Sequence, residues 1–88
     1  MKRRELKKTI NYLSSELLAE CIAQLNYNKN VAKADVENIM LNILSMQNDL
    51  VSRLSHVEPG SQKLFFSKLK KDMIAHADEI IDHIKALG

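Results

Sequence analysis

Residues 36–57 read VENIMLNILSMQNDLVSRLSHV. Val36, Ile39, Ile43, Met46, Leu50, Leu54 and Val57 recur at steps of three and four, the mark of one face of a helix. Asn38, Asn42, Ser45, Asp49, Ser52 and His56 recur in the same way and are all polar, so the opposite face belongs to solvent. The spacing predicts a helix over about residues 34–57, starting as early as Val31. Asp35 is the expected N-cap, and Glu37 in the first turn suits the helix macrodipole.

Two punctuated stretches bound this run. Before it, Asn26-Tyr27-Asn28-Lys29-Asn30 places three Asn in five residues, and Asn side chains compete for backbone hydrogen bonds and favour turns. After it comes Glu58-Pro59-Gly60-Ser61. Pro59 disfavours helix in the residue before it, Gly60 permits a positive φ, and Ser61 can cap a following helix unless Pro59 itself opens that helix. Outside these breaks the helical period returns. A first helix is expected over about residues 3–26, with Leu6, Ile10, Leu13, Leu17, Cys21 and Leu25 on one face. A third is expected over about residues 61–87, with Phe66, Leu69, Met73, Ala77, Ile80, Ile84 and Leu87 in line.

Helices of about 25 residues are about 37 Å long. Short links between them force antiparallel neighbours, so the expected fold is all-α, an antiparallel up-down-up three-helix bundle forming one domain over residues 1–88. Leu13, Leu17, Ile43, Leu50, Leu69, Met73 and Ile80 are the expected core. Composition agrees. The 88 residues contain only two Gly and one Pro, too few for a loop-rich or many-turned β fold, while twelve Leu, eight Ile, seven Ala and ten Lys suit helices.

The apolar arcs are wider than a surface helix needs, about 160–180° against about 100°. Leu18 and Ile22 extend the first, Leu41, Leu44 and Val51 the second, and Phe65, Ile74 and Ile81 the third. The plainer reading is that a three-helix core uses most of this arc. The sharper one is that Leu18, Ile22, Leu41, Leu44, Ile74 and Ile81 serve a homodimer or another helical partner, with the Ile74–Ile81 flank the foremost choice for self-association.

Charge is uneven. The net charge is +2, yet residues 1–8 carry five bases and a single acid. Lys2, Arg3, Arg4, Lys7 and Lys8 open the first helix, Lys63, Lys68, Lys70 and Lys71 open the third, and Arg53 closes the second. An up-down-up bundle brings all of these to one pole and gathers Asp35, Glu37, Asp78, Glu79 and Asp82 at the other. Solubilising lysines explain this most simply, and an anion-facing pole for nucleic acid or an acidic partner is the alternative. Phe65 and Phe66 are the only aromatic side chains near that pole, which gives base stacking little support.

Asp72, His76, Glu79 and His83 follow one another at steps of four, three and four, a spacing that can hold zinc or iron when facing helices add ligands. Glu16, Glu20, Asp49 and His56 are the only candidates for that. Charged residues along a solvated helical stripe fall at the same spacing, so the expectation is no metal and no cofactor, with this quartet the sole metal candidate. His83 is followed by Ile-Lys-Ala-Leu-Gly, not the His-x-x-Lys-Gly of a phosphotransfer domain. No Gly-rich phosphate loop and no Gly-x-Ser-x-Gly elbow occurs, and Cys21 has no neighbouring His. The chain is therefore expected to be no enzyme. Apolar runs stop at three residues, as in Ile39-Met40-Leu41, and the basic start leads into a periodic helix, so neither a membrane span nor a signal peptide is expected. With a lone Cys, this points to the cytoplasm. The expected function is a non-enzymatic interaction or scaffold protein, with a nucleic-acid accessory role at the basic pole as the alternative and metal binding as the weaker one.

Overall fold

The three periodic runs become three α-helices in a computed structural model that describes residues 3–56, 60 and 62–87. They are α1 (Arg3–Tyr27), α2 (Lys33–Leu54) and α3 (Gln62–Lys85). Lys2, Val57, Pro59 and Ser61, each given a role by the sequence, lie outside the described residues. Between α1 and α2 the asparagines act as expected. The Asn28 side-chain oxygen accepts a hydrogen bond from the Asn30 N–H at 3.2 Å, the mark of an Asx turn, and its backbone N–H closes on Gln24 O at 3.0 Å. Beyond α2, Gly60 takes a φ of 93°, a left-handed conformation that glycine adopts without strain.

The start of α2 departs from expectation. Ala32, in extended backbone, is the N-cap, and no side chain caps it. Asp35 is the third helical residue, where its carboxylate faces the positive end of the macrodipole without acting as the cap. α2 ends at Leu54, three residues short of the predicted limit; Ser55 is its C-cap, and beyond it the His56 N–H turns back to Arg53 O at 3.2 Å, three residues behind instead of four.

Helix direction follows from cross-helix contacts. Arg3, at the start of α1, reaches the Leu54 carbonyl at the end of α2, and Gln47 Nε2 donates to Asn11 Oδ1 at 2.9 Å. On the other side of α2, Arg53 meets Asp72 and Asn42 meets His76. Leu6 of α1 shares a cleft with Gln62 and Phe66 at the start of α3. The helices therefore run up, down and up in an antiparallel three-helix bundle measuring 51 × 17 × 17 Å. Contact is most extensive between α1 and α2 and least between α1 and α3.

A single core runs the length of the bundle. It takes Leu6, Ile10, Leu17 and Cys21 from α1, Val36, Ile39, Ile43, Met46, Leu50 and Leu54 from α2, and Leu69, Met73, Ala77, Ile80 and Ile84 from α3. Six of the seven expected core residues are buried. Leu13 is the exception, lying half-buried against the core, while its neighbour Ser14 is fully buried. The Ser14 hydroxyl donates to Ile10 O at 2.8 Å, which satisfies it inside its own helix and lets a small polar residue occupy a core position. Leu25, also on the predicted stripe, is left exposed near the end of α1.

Removing a fully buried leucine side chain costs its transfer energy plus that of the cavity left behind. Leu50→Ala is therefore expected to destabilise the fold by about 2–5 kcal/mol. Leu41→Ala removes the same atoms from a side chain that is 64% exposed, and it is expected to stay within about 0.5 kcal/mol of wild type. Urea denaturation midpoints of the two variants measure the difference.

Candidate functional site

Three regions carry the polar and apolar groups that the core does not use. The first is the seam between α2 and α3. Arg53 NH2 donates to Asp72 Oδ2 at 2.9 Å, and its NH1 lies 3.9 Å from Asp49 Oδ2 one turn back. One turn along α3, the His76 ring Nε2, when protonated, donates to Asn42 Oδ1 at 3.2 Å. Arg53 and Asp72 are each partly exposed, so their pairing fixes how α2 lies on α3 more than it stabilises the fold.

This seam takes up half of the predicted metal quartet. Asp72 and His76 are held by partners on α2, Glu79 is exposed, and His83 lies in a cleft at the far end with Asp35, Asn38 and Leu87. His56, offered as a facing ligand, lies just beyond α2 and turns its Nδ1 back to Ser52 O in the last turn of that helix at 2.8 Å. Among the described residues no three His, Cys, Asp or Glu side chains come together as a ligand set.

The second region is the basic pole. Arg3, Arg4 and Lys7 line a cleft of about 410 Å3 with Val51, Leu54 and Ser55. Lys63 and Lys70 line another of about 620 Å3 with Leu6, Gln62, Phe66 and Ser67. The starts of α1 and α3 thus meet around the end of α2, and Lys8, Lys68 and Lys71 continue the basic surface as exposed side chains. Two of the predicted anion-binding residues are already engaged. Arg3 donates through Nε, at 2.8 Å, and through NH2 to the Leu54 carbonyl, so it caps the C-terminal end of α2, and Arg53 belongs to Asp72. Arg4, Lys7, Lys8, Lys63, Lys68, Lys70 and Lys71 form no ion pair with a described acid. Phe65 and Phe66 pack edge to face, with ring centroids 5.9 Å apart, and both lie against the core, which removes them as base-stacking platforms.

The third region is apolar. Of the six residues predicted for self-association, Ile22, Leu41, Leu44 and Ile74 are exposed. Leu18 and Ile81 are not free in this sense, because both rest half-buried against the core. Leu18 and Ile22 fall seven and eleven residues after Asn11, on the flank of α1 that faces α2. Met40 and Leu44 fall seven and three residues before Gln47, on the flank of α2 that faces α1. These four side chains therefore line one outer face along the α1–α2 seam, with Leu41 at its edge. Ile74 instead continues the flank of Ser67 and Lys70 on α3. Tyr12, Tyr27 and Leu64 are exposed as well, at positions the apolar pattern did not mark.

No described helix is long and apolar enough to cross a membrane. Compared with protein-family models, curated proteins and solved structures, the chain finds no match.

Cys21 sits at zero exposure in the core, where desolvation raises its thiol above the ordinary value and the neighbouring Glu20 carboxylate adds to the shift. A thiolate is the reactive form, so the folded protein is expected to resist a disulfide reagent at pH 8 and to react fully only in denaturant. Stoichiometric labelling of the native protein within minutes would contradict this placement.

Proposed function

We propose that the chain is a non-enzymatic interaction protein that uses its helical surface to hold another helical protein and a second copy of itself. The observation that carries this reading is the outer face of the α1–α2 seam, where Leu18 and Met40 lie half-buried and Ile22, Leu41 and Leu44 stand exposed together. An amphipathic helix laid along that face would cover these side chains in the manner of helix-in-groove recognition. Supporting it, the polar side chains along the α2–α3 seam serve the bundle itself. The free thiol of Cys21 suits the reducing conditions of the cytoplasm.

The test is capture from the native cell with the wild type and with an Ile22→Asp, Leu44→Asp variant. Both positions are exposed, so the variant is expected to keep its helical circular dichroism and thermal midpoint. A protein captured by the wild type and lost by the folded variant supports the reading. Equal capture by both would remove the α1–α2 face from it.

A second reading, nucleic-acid binding at the basic pole, is favoured by the seven bases there without a described acid partner. Phosphate contacts release counterions, so retention on heparin or RNA should fall steeply with salt, and Lys70→Glu with Lys71→Glu should weaken it equally for all sequences. Flow-through at about 50 mM salt, where such contacts are strong, would end this reading.

A further inference from the structure

The face of α3 turned away from the core carries Leu64, Lys68, Lys71, Ala75, Asp78 and Asp82. These residues step by four, three, four, three and four, the repeat of a helix–helix seam, and every one of them is exposed. Ile74, 49% exposed, stands on the flank beside Ala75. Along this stripe the charges change sign at the centre, with lysines before Ala75 and aspartates after it. The order opposes the macrodipole of α3, which favours acids early and bases late.

From this pattern we infer that two copies of the chain pair antiparallel through α3, on a two-fold axis passing between Ile74 and Ala75. The inference rests on the self-association proposed above and gives it a face and a direction. In an antiparallel pair about that axis, facing residues have numbers that sum to about 149. Ile74 then meets the partner's Ala75, whose small side chain admits the isoleucine and lets the helices approach. Lys71 meets the partner's Asp78, and Lys68 meets the partner's Asp82. Leu64 lies along the aliphatic stem of the partner's Lys85. Each contact occurs twice, as an isologous two-fold interface requires. The charge order that α3 tolerates poorly alone becomes complementary, because the lysines of each copy lie near the aspartates and the negative helix end of the other. A parallel pairing of the same stripe would set lysine against lysine and aspartate against aspartate.

The exposed apolar area is small and the ion pairs face water, so the dimer is expected in the micromolar range and to weaken with salt. Sedimentation of the wild type at about 100 μM, above that range, should show a dimer. Lys68→Glu with Lys71→Glu makes the stripe wholly acidic, and Asp78→Lys with Asp82→Lys makes it wholly basic. Each variant alone is expected to be a monomer, at least tenfold weaker in self-association, and the two mixed are expected to form a one-to-one heterodimer. Copper-phenanthroline oxidation reports direction. In a Cys21→Ala background, Ala75→Cys should cross-link to itself, Leu64→Cys should not, and Leu64→Cys with Lys85→Cys should. Circular dichroism confirms that each variant is folded. A wild-type dimer that the charge variants leave intact, or one in which Leu64→Cys cross-links to itself, overturns the α3 geometry and moves self-association to another face. A wild type that stays monomeric overturns both the geometry and the self-association it rests on.

Discussion

Ile43, Met46 and Leu50, all but fully buried, close the middle of a core that is one side chain thick from end to end. In a bundle 17 Å across, no second apolar layer stands behind that line. α2 supplies six buried residues from 22, more than either neighbour, and packs against both. Its polar flanks then set the register. Gln47 on one flank holds Asn11, and Asn42 and Arg53 on the other hold His76 and Asp72. Apolar burial is non-directional and accepts a sliding helix, whereas these three polar pairs at fixed heights do not.

The α2 ladder also accounts for the placement of charge. Basic residues at the starts of α1 and α3 oppose the dipoles of their own helices. Because α2 runs the other way, its negative C-terminal end arrives between those two starts. Arg3 makes the relation concrete by donating to the Leu54 carbonyl, which the helix itself leaves without a partner. What is unfavourable within a helix becomes favourable between helices, and the basic pole is in part a structural consequence of the up-down-up topology.

The fold was legible because stripes at steps of three and four report burial directly, and each of the three expected helices has its expected face inward. What sequence reading missed depended on local competition or on relative height. Ser14 replaced Leu13 in the core because a hydroxyl can satisfy itself on the preceding turn, an option invisible to a count of apolar residues. Asp35 looked like a cap from its type, yet after the Asx turn at Asn28 the chain enters the helix three residues sooner, with Ala32 as the N-cap. The engagement of Arg3, Arg53, Asp72 and His76 required knowing which residues of neighbouring helices share a level, and a single sequence does not contain that information. The apolar surface was partly legible, since Ile22, Leu41, Leu44 and Ile74 stand exposed while Leu18 and Ile81 do not.

The two surfaces left over lie on different sides of the bundle. In a triangle of helices the outer α1–α2 seam is opposite α3, so a contact made through the outer face of α3 leaves Ile22, Leu41 and Leu44 uncovered. Pairing through α3 would then give one particle with two α1–α2 faces pointing away from each other. Such a particle can hold two copies of a helical partner at once, or two segments of one partner. Engagement of the first face raises the effective concentration at the second, provided the partner can span both. Two weak and separate surfaces acting in this way would give a thin bundle, with little area for any single tight interface, a means of binding firmly while each contact remains reversible.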